Sequence, residues 1–589
     1  MEVLQLKHLL KYYKPHRAAL ACIILLLFAQ VTAELALPRL MAKIIDDGIV
    51  PGDMPVIYAT GLIMLAVSFI GVLCAAAVSY FSSWIASAAS KEIRRALFEN
   101  VTSFTNIEFD LFSTASLITR STNDVQVLQN TSVMIFRMAF YAPIMGIGAL
   151  IGAYTTSPSL SWTIVIGIIG ILMMVSFMLL VTLPKFKIVQ RMVDRLNLIM
   201  GERLNGVLVI RSFNREKDEE NRFDQANEDL TKLNTFVNRA FSFMMPGLML
   251  IMNLSAVLIV WAGSNLMNAG NLQIGSMLAF IQYSMSVIMS FLFISMMFIM
   301  IPRALVSGQR IGEVVHTKPA IVDPTGLSPA APITKGLIEF KHVSFSYPGS
   351  DENVLSDISF VARPGETTAL IGSTGSGKST IVNLIPRFYD VTEGEICIDG
   401  VDIRTLPQQV LRSQIGYVPQ KAVLFSGTID SNLRVGKPEA SEEDLSSAAE
   451  TAQALAFIHE KPEGFETPIA QGGTNVSGGQ RQRLSIARAL AINPKILIFD
   501  DSFSALDFKT DAALRNALKG NQQDATLLIV AQRINTILHA EQILVIEDGM
   551  IVGKGTHQAL MAGCTVYREI ARSQLSEKEL EREEASLNE

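Results

Sequence analysis

Charge is scarce in this 589-residue chain. Asp, Glu, Lys and Arg make up 18% of it, against about a quarter of an ordinary soluble protein. Hydrophobic residues make up 49%, and the mean hydropathy is +0.34. The net charge of -6 is small for the length, which excludes a nucleic-acid partner. Cysteine is scarcer still. The four cysteines (Cys22, Cys74, Cys397 and Cys564) have no paired spacing, which excludes a disulfide framework and a zinc site and leaves them as small apolar fillers. A cleavage signal is also lacking. Lys7, His8, Lys11, Lys14, His16 and Arg17 precede the first apolar run, but no small-residue cleavage site ends that run, so we expect a retained first span. The length leaves room for two to four ordinary domains.

What the chain has instead is long apolar stretches. A bilayer crossing needs roughly 20 residues, and six stretches qualify: Ala18–Leu40, Ile57–Trp84, Val133–Thr155, Leu160–Leu183, Met244–Met267 and Ile274–Ile301. The connections at 41–56, 156–159 and 268–273 are short and poor in basic residues. The other two are long and basic, with Lys91, Arg94, Arg95 and Arg120 in one and Lys185, Lys187, Arg191, Arg195, Arg203, Arg211 and Arg215 in the other. The positive-inside rule puts these long loops and both termini in the cytoplasm of a multi-pass protein, and the layout suits a bacterial plasma membrane. Apolar residues recur at three- and four-residue spacing in Ala86–Phe98 and Val189–Leu208, so the spans should continue as helices beyond the lipid. Their far tips are expected near Thr114–Asp124 and Asn205–Arg215.

Behind this membrane domain (1–317) and a linker (318–335), residues 336–574 have the composition of a soluble α/β domain, followed by a charged tail (575–589). Runs such as Thr367–Ile371 and Ile496–Phe499 suit buried parallel strands. The strongest motif is the P-loop Gly372-Ser373-Thr374-Gly375-Ser376-Gly377-Lys378-Ser379, followed by Thr380, lying between a strand-like and a helix-like run. Its glycines let backbone N–H groups close around phosphate oxygens. Lys378 supplies positive charge, and Ser379 can ligate Mg²⁺. Ile496–Asp500 is four apolar residues ending in an acid, which places Asp500 at a strand edge beside the same Mg²⁺. The expected fold is therefore an α-helical six-span membrane domain plus an α/β P-loop NTPase nucleotide-binding domain, with ATP and Mg²⁺ as cofactors.

Between these two motifs lies Ser477-Gly478-Gly479-Gln480, which resembles the signature of ATP-binding-cassette (ABC) proteins. The resemblance extends along nearly the whole chain. Tyr347 stands where the family stacks an aromatic on adenine. Gln420, in Tyr-Val-Pro-Gln, resembles the Q-loop glutamine that joins the metal shell. Asp507, in Ser-Ala-Leu-Asp, resembles the D-loop. Six spans ahead of one nucleotide domain look like an exporter-type half-transporter. In this family the signature of one nucleotide domain completes the ATP site of another, so the resemblance implies a dimer whose loop tips act as coupling helices.

Two positions depart from the family pattern. After Asp500 the family has Glu, which polarises the attacking water; here it is Asp501, whose carboxylate is withdrawn by ~1 Å, a misplacement that can cost about 10²-fold in rate. The family's strand-end His is here Gln532, which can donate a hydrogen bond but carries no positive charge. Val476 replaces the usual Leu before the signature, and Gln471 a frequent Glu. This pattern resembles the degenerate-site subunit of heterodimeric bacterial multidrug exporters and implies a partner half-transporter with a consensus catalytic site. The alternatives are a homodimeric lipid or peptide exporter and an ATP-gated channel or regulatory subunit.

The cargo is less legible. Methionines crowd the last two spans (Met244, Met245, Met249, Met252, Met285, Met289, Met296, Met297 and Met300), joined by Phe291, Phe293 and Phe298. Such surfaces suit varied hydrophobic small molecules, but they also simply fill helix interfaces. Glu34, an acid within a span, either meets cationic drugs or pairs with a polar neighbour. Arg137, in the third span, is expected to snorkel.

Overall fold

The computed structural model describes residues 9–324, 333–350 and 352–575. Lys7, His8, the centre of the expected linker (325–332) and the tail from 576 lie outside the described residues, as do the side chains of Lys187 and Phe298. The chain divides into two compact units: Met1–Thr102 with Ser113–Thr317, and Ser103–Phe112 with Lys318–Glu589.

The first unit is helical: α1 (Arg17–Lys43), α2 (Met54–Ser103), α4 (Thr114–Thr119), α5 (Val125–Thr156), α6 (Ser161–Asn205), α7 (Val207–Ser212), α8 (Glu216–Ser242), α9 (Met244–Asn268) and α10 (Ile274–His316). The short helix α3 (Asn106–Phe112) belongs to the second unit. Among the described residues, six helices are long and apolar enough to cross a membrane, and each overlaps one of the six expected runs. A helix is the form that satisfies every backbone group inside lipid. At 1.5 Å per residue α2 is about 75 Å long, far more than the ~30 Å hydrocarbon core, so its final turns project beyond lipid.

Small residues set how closely these helices pack. A Cβ at Gly152 of α5 would lie 2.8 Å from the ring of Tyr283, and one at Gly148 would strike the Leu35 side chain. Tyr283, fully buried on α10, donates to the carbonyl of Leu35 (2.8 Å), one turn before Pro38, which lies inside α1. At the short-loop ends, Asp46 accepts from the N–H groups of Gly275 (2.7 Å) and Ser276 (3.1 Å), which have no intrahelical partner at the start of α10. At the long-loop ends, a single π turn, Arg120–Asp124, carries two ion pairs to α10: Arg120–Glu313 (2.7 Å) and Asp124–Arg310 (3.3 Å).

The first tip lies earlier than the sequence suggested. α2 stops at Ser103, and α3 follows after a two-residue break; Thr114–Asp124 already forms the start of the next helical rod. The cause is a local cap. The buried Glu108 carboxylate accepts from both the backbone N–H and the hydroxyl of Thr105 (2.6 Å each) and so starts α3. The second tip falls where expected, with breaks at Gly206 and around Asn214.

In the second unit, a six-stranded sheet has the order β12-β11-β3-β10-β9-β6: β12 (Met550–Gly555), β11 (Gln542–Glu547), β3 (Thr367–Gly372), β10 (Thr526–Val530), β9 (Ile496–Asp500) and β6 (Ile415–Val418). All neighbours are parallel except β11 and β12. β9 and β10 are buried along their whole length, because both faces of the sheet are covered, one mainly by helices and the other by residues of a second sheet and the helix Lys378–Leu384. A second, antiparallel sheet contains β1 (Ile338–Phe345), β2 (Leu355–Ala362), β4 (Glu393–Ile398) and β5 (Val401–Asp402). The expected linker ends on a pin: Asp399 accepts the backbone N–H groups of Thr334, Lys335, Gly336 and Leu337 at 2.8–3.3 Å. Burial alone would raise its pKa, but these four donors outweigh it and hold the carboxyl below the ordinary range.

Candidate functional site

The site forms at the C-terminal ends of the parallel strands, where open α/β sheets bind their ligands. β3 runs into the loop 372–377, and helix α11 (Lys378–Leu384) follows. Gly375 and Gly377 have φ of +87° and +96°, left-handed values that glycine adopts without strain. A Cβ at Gly375 would meet nothing within 4 Å, so this side of the loop is an open cradle. Lys378 folds back over the loop and donates to the carbonyls of Ser373 (2.6 Å) and Gly372 (3.1 Å). Burial lowers its pKa, opposed by the charges of Asp501 and Asp500.

Ser379 donates to Asp500 Oδ1 at 2.8 Å. Burial raises the pKa of Asp500, and the neighbouring Asp501 adds to the rise. Among the described residues no three His, Cys, Asp or Glu side chains gather as a metal cluster. One hydroxyl and one carboxylate, with the remaining positions left to phosphate and water, is the sparse oxygen set that Mg²⁺ takes. Cradle, lysine and oxygen pair together fit a nucleoside triphosphate with Mg²⁺.

Tyr347 stands beside this cradle. Its hydroxyl is 3.1 Å from Thr380 Oγ1 at the start of α11, and its ring meets Tyr389 edge-on at 5.3 Å. Ile107 of α3 packs on the same apolar cluster, and Glu108 also accepts from the N–H of Ala320 (3.0 Å). A helix from the first long loop is therefore built into the unit that carries the phosphate cradle.

The two unusual residues touch each other. Asp501 Oδ2 accepts from Gln532 Nε2 at 2.6 Å and from Gln420 Nε2 at 3.2 Å. Asp501 is 7% exposed and holds a left-handed φ of +47°, and burial raises its pKa against the pull of the Gln420 bond. Gln420 is thus turned to Asp501, while Ser379 is turned to Asp500. Gln532 is held from behind by a residue that no motif announces: Gln574, on the helix Thr565–Gln574, donates to the Gln532 carbonyl (2.8 Å) and accepts from Ile534 N–H (2.9 Å).

The signature forms its own helix start. Ser477 caps α12 (Gly478–Leu490) in a reciprocal box with Gln480, at 3.1 and 3.3 Å. Ser477 and Gly478 are exposed, so their side of the helix start is open to an anion. Asp507 likewise caps the helix Phe508–Asn521 through Thr510.

With this geometry in place, comparison with known proteins decides the family. Residues 20–291 match the ABC transporter transmembrane region, and residues 355–504 match the ABC transporter domain. The chain belongs to the ABC transporter family. An uncharacterised ABC transporter ATP-binding protein of Mycobacterium tuberculosis is 39% identical over 568 residues, covering 96% of this chain and 97% of that protein. A putative multidrug export ATP-binding/permease protein of Bacillus subtilis is 32% identical over 582 residues, covering 96% and 98%. Among solved structures, a bacterial Atm1-family ABC exporter with ATP bound shares the fold, with a TM-score of 0.78 at 24% identity over 95% of this chain and 99% of that one. This ABC transporter is a half-transporter, with one transmembrane region joined to one ATP-binding domain.

Glu34, one of the two charges expected to matter inside the membrane, is engaged within this chain. It accepts from Gln30 (2.8 Å) and from the Tyr141 hydroxyl (2.6 Å), which is the pairing alternative of the two readings above. Arg137 is exposed on α5. The methionines divide: Met252 and Met289 pack on a buried cluster with Ile171 and Ile288, whereas Met245 and Met249 are exposed.

Proposed function

We propose that this chain is the degenerate-site subunit of a heterodimeric ABC exporter in the plasma membrane. It moves hydrophobic or amphipathic compounds, drugs among them, out of the cell. The observation that carries the reading is the Asp501–Gln532 bond at 2.6 Å. A hydrolytic site needs a carboxylate oxygen free to orient water and a partner able to bear charge. Here two amide donors hold Asp501 Oδ2 and turn the shortened carboxylate toward the strand-end amide, leaving only Oδ1 for a water, and Gln532 cannot become a cation. The cradle, Lys378, Ser379, Asp500 and Tyr347 remain fit to bind ATP and Mg²⁺. The open start of α12 suits completing the ATP site of a partner with a consensus centre. The multidrug-export name of the Bacillus subtilis relative supports the cargo class.

In mechanistic terms, bound ATP supplies the anion that draws the signature helix of one domain onto the cradle of the other. Helix α3 passes that closure to the spans, and hydrolysis at the partner's site resets the pair. The deciding experiment measures ATP binding and turnover by the purified chain in nanodiscs, alone and with a co-expressed partner. Tight binding with near-zero turnover alone, and brisk turnover with the partner, is expected. Brisk drug-stimulated turnover by the chain alone would establish a working homodimer. Absence of substrate-dependent turnover in any assembly would establish the channel or regulatory alternative.

A further inference from the structure

A cavity of about 590 Å³ opens between α1, α2, α5 and α10 toward their short-loop ends. That volume is within the roughly 300–1,000 Å³ of small-molecule sites. Its wall is apolar: Leu35, Ile63, Val67 and Ile151 line it. Gly148 and Gly152 of α5 also line it, and there α1 and α10 approach closely. One full charge faces it, the guanidinium of Arg39. Arg39 donates to Thr155 Oγ1 of α5 (2.9 Å), also bonds the Tyr283 hydroxyl on the same cavity wall, and forms no ion pair among the described residues. Its fork of donors therefore has capacity left. The intramembrane acid does not neutralise it, because Glu34 lines a separate cavity of about 210 Å³ and is satisfied by Gln30 and Tyr141.

A cation at the rim of an apolar slot, within a span, selects a ligand with an anionic head and an apolar tail. We propose that this cavity binds an anionic amphiphile, its head on Arg39 and Thr155 and its tail between Ile63, Val67 and Ile151. The proposal rests on the export reading for its role, since it assigns that reading a charge class opposite to the one Glu34 suggested. It stands on its own geometry for binding.

The test uses the full chain with its co-purified partner in neutral-lipid nanodiscs, with dodecyl phosphate as the probe. Expected is saturable binding of dodecyl phosphate, at least about tenfold weaker binding of dodecanol, and none of inorganic phosphate. Arg39→Gln should weaken the probe about tenfold or more, as loss of a charge-assisted bond does, and Arg39→Lys should recover part of it. Ile63→Trp, which fills the slot and leaves Arg39 in place, should weaken it as well. Displacement of the probe by phosphatidylglycerol, but not by phosphatidylcholine, identifies a lipid as occupant; no displacement by either identifies a free amphiphile. Both are anionic amphiphiles and support the site. Equal binding by wild type and Arg39→Gln at unchanged melting temperature, or equal binding of dodecyl phosphate and dodecanol, overturns it and leaves Arg39 as a snorkelling cation. ATP-driven efflux of a neutral dye is followed in parallel. Efflux without probe binding sinks this inference alone, whereas binding without efflux sinks the export reading alone.

Discussion

Replacing Asp501 by Glu and Gln532 by His should restore hydrolysis at this chain's own site, and the structure says how the two changes combine. Considered separately, a withdrawn carboxylate costs about 10²-fold, and a missing acid or base about 10²–10⁴-fold. These factors do not multiply here, because the two side chains share one 2.6 Å bond and act as a unit. Glu at 501 alone pushes its longer carboxylate against the Gln532 amide. His at 532 alone faces a carboxylate too short to reach the water. Each single change should therefore gain at most about tenfold, and the pair about 10²–10⁴-fold, roughly 3–5 kcal/mol of barrier. A backbone cost accompanies the gain. Asp501 holds φ +47°, a conformation Asp tolerates better than Glu, so variants with Glu at 501 should lose about 1 kcal/mol of stability. The assay is phosphate release by the assembled complex whose partner has lost its catalytic carboxylate, which silences the other site. If the wild-type site already turns over as fast as the double variant in that background, the site is not degenerate. If the single gains multiply to the double, the shared bond has no catalytic weight.

Three further outcomes are expected. On the proposed heterodimer, Ser477→Ala or Gly478→Glu should depress turnover of the complex while ATP binding to this chain's own cradle is unchanged; binding and turnover measured on the same preparation separate the two. Ile107→Asp should place a charge in the apolar cluster that seats α3, leaving ATP affinity intact but abolishing stimulation of turnover by transported compounds. Asp399→Ala frees four backbone N–H groups and should cost about 1–2 kcal/mol, discounted because the carboxylate is partly exposed. The Asp399 carboxyl has a folded pKa below the ordinary ~3.9, so its contribution is complete above that value and disappears as pH falls through the folded one. The melting-temperature difference between wild type and variant should therefore stay constant from pH 7 down to the ordinary carboxylate value and shrink only as pH falls below it.

Legibility followed the range of the determining interaction. Each span is set by its own run of about 20 apolar residues in lipid, so all six could be found from local composition. The P-loop and the signature are contiguous, with their helix starts written into neighbouring residues such as Ser477 and Gln480. The first loop tip was misplaced by about ten residues because its stop depends on Glu108 reaching back to Thr105, a cap hidden inside a helical-looking stretch. Tyr389 and Gln574 were invisible for a related reason, since each acts through a partner far along the chain, at Tyr347 and at Gln532.

The contact between Asp501 and Gln532 lies at the boundary between these cases. Sequence marked both as departures, but as two independent losses. Their adjacency comes from the parallel pairing of β9 with β10, in which Asp500 stands opposite Val530. The residues after each strand then emerge side by side, one donor facing one acceptor. A carboxylate shortened by one methylene leaves a gap toward the next strand, and an amide fills that gap with a hydrogen bond, where a cationic imidazole would have to be desolvated. The two residues are therefore better understood as one matched pair, which keeps a buried carboxylate satisfied. The 2.6 Å contact therefore makes the pair, and not either residue alone, the unit that the double replacement of Asp501 and Gln532 tests.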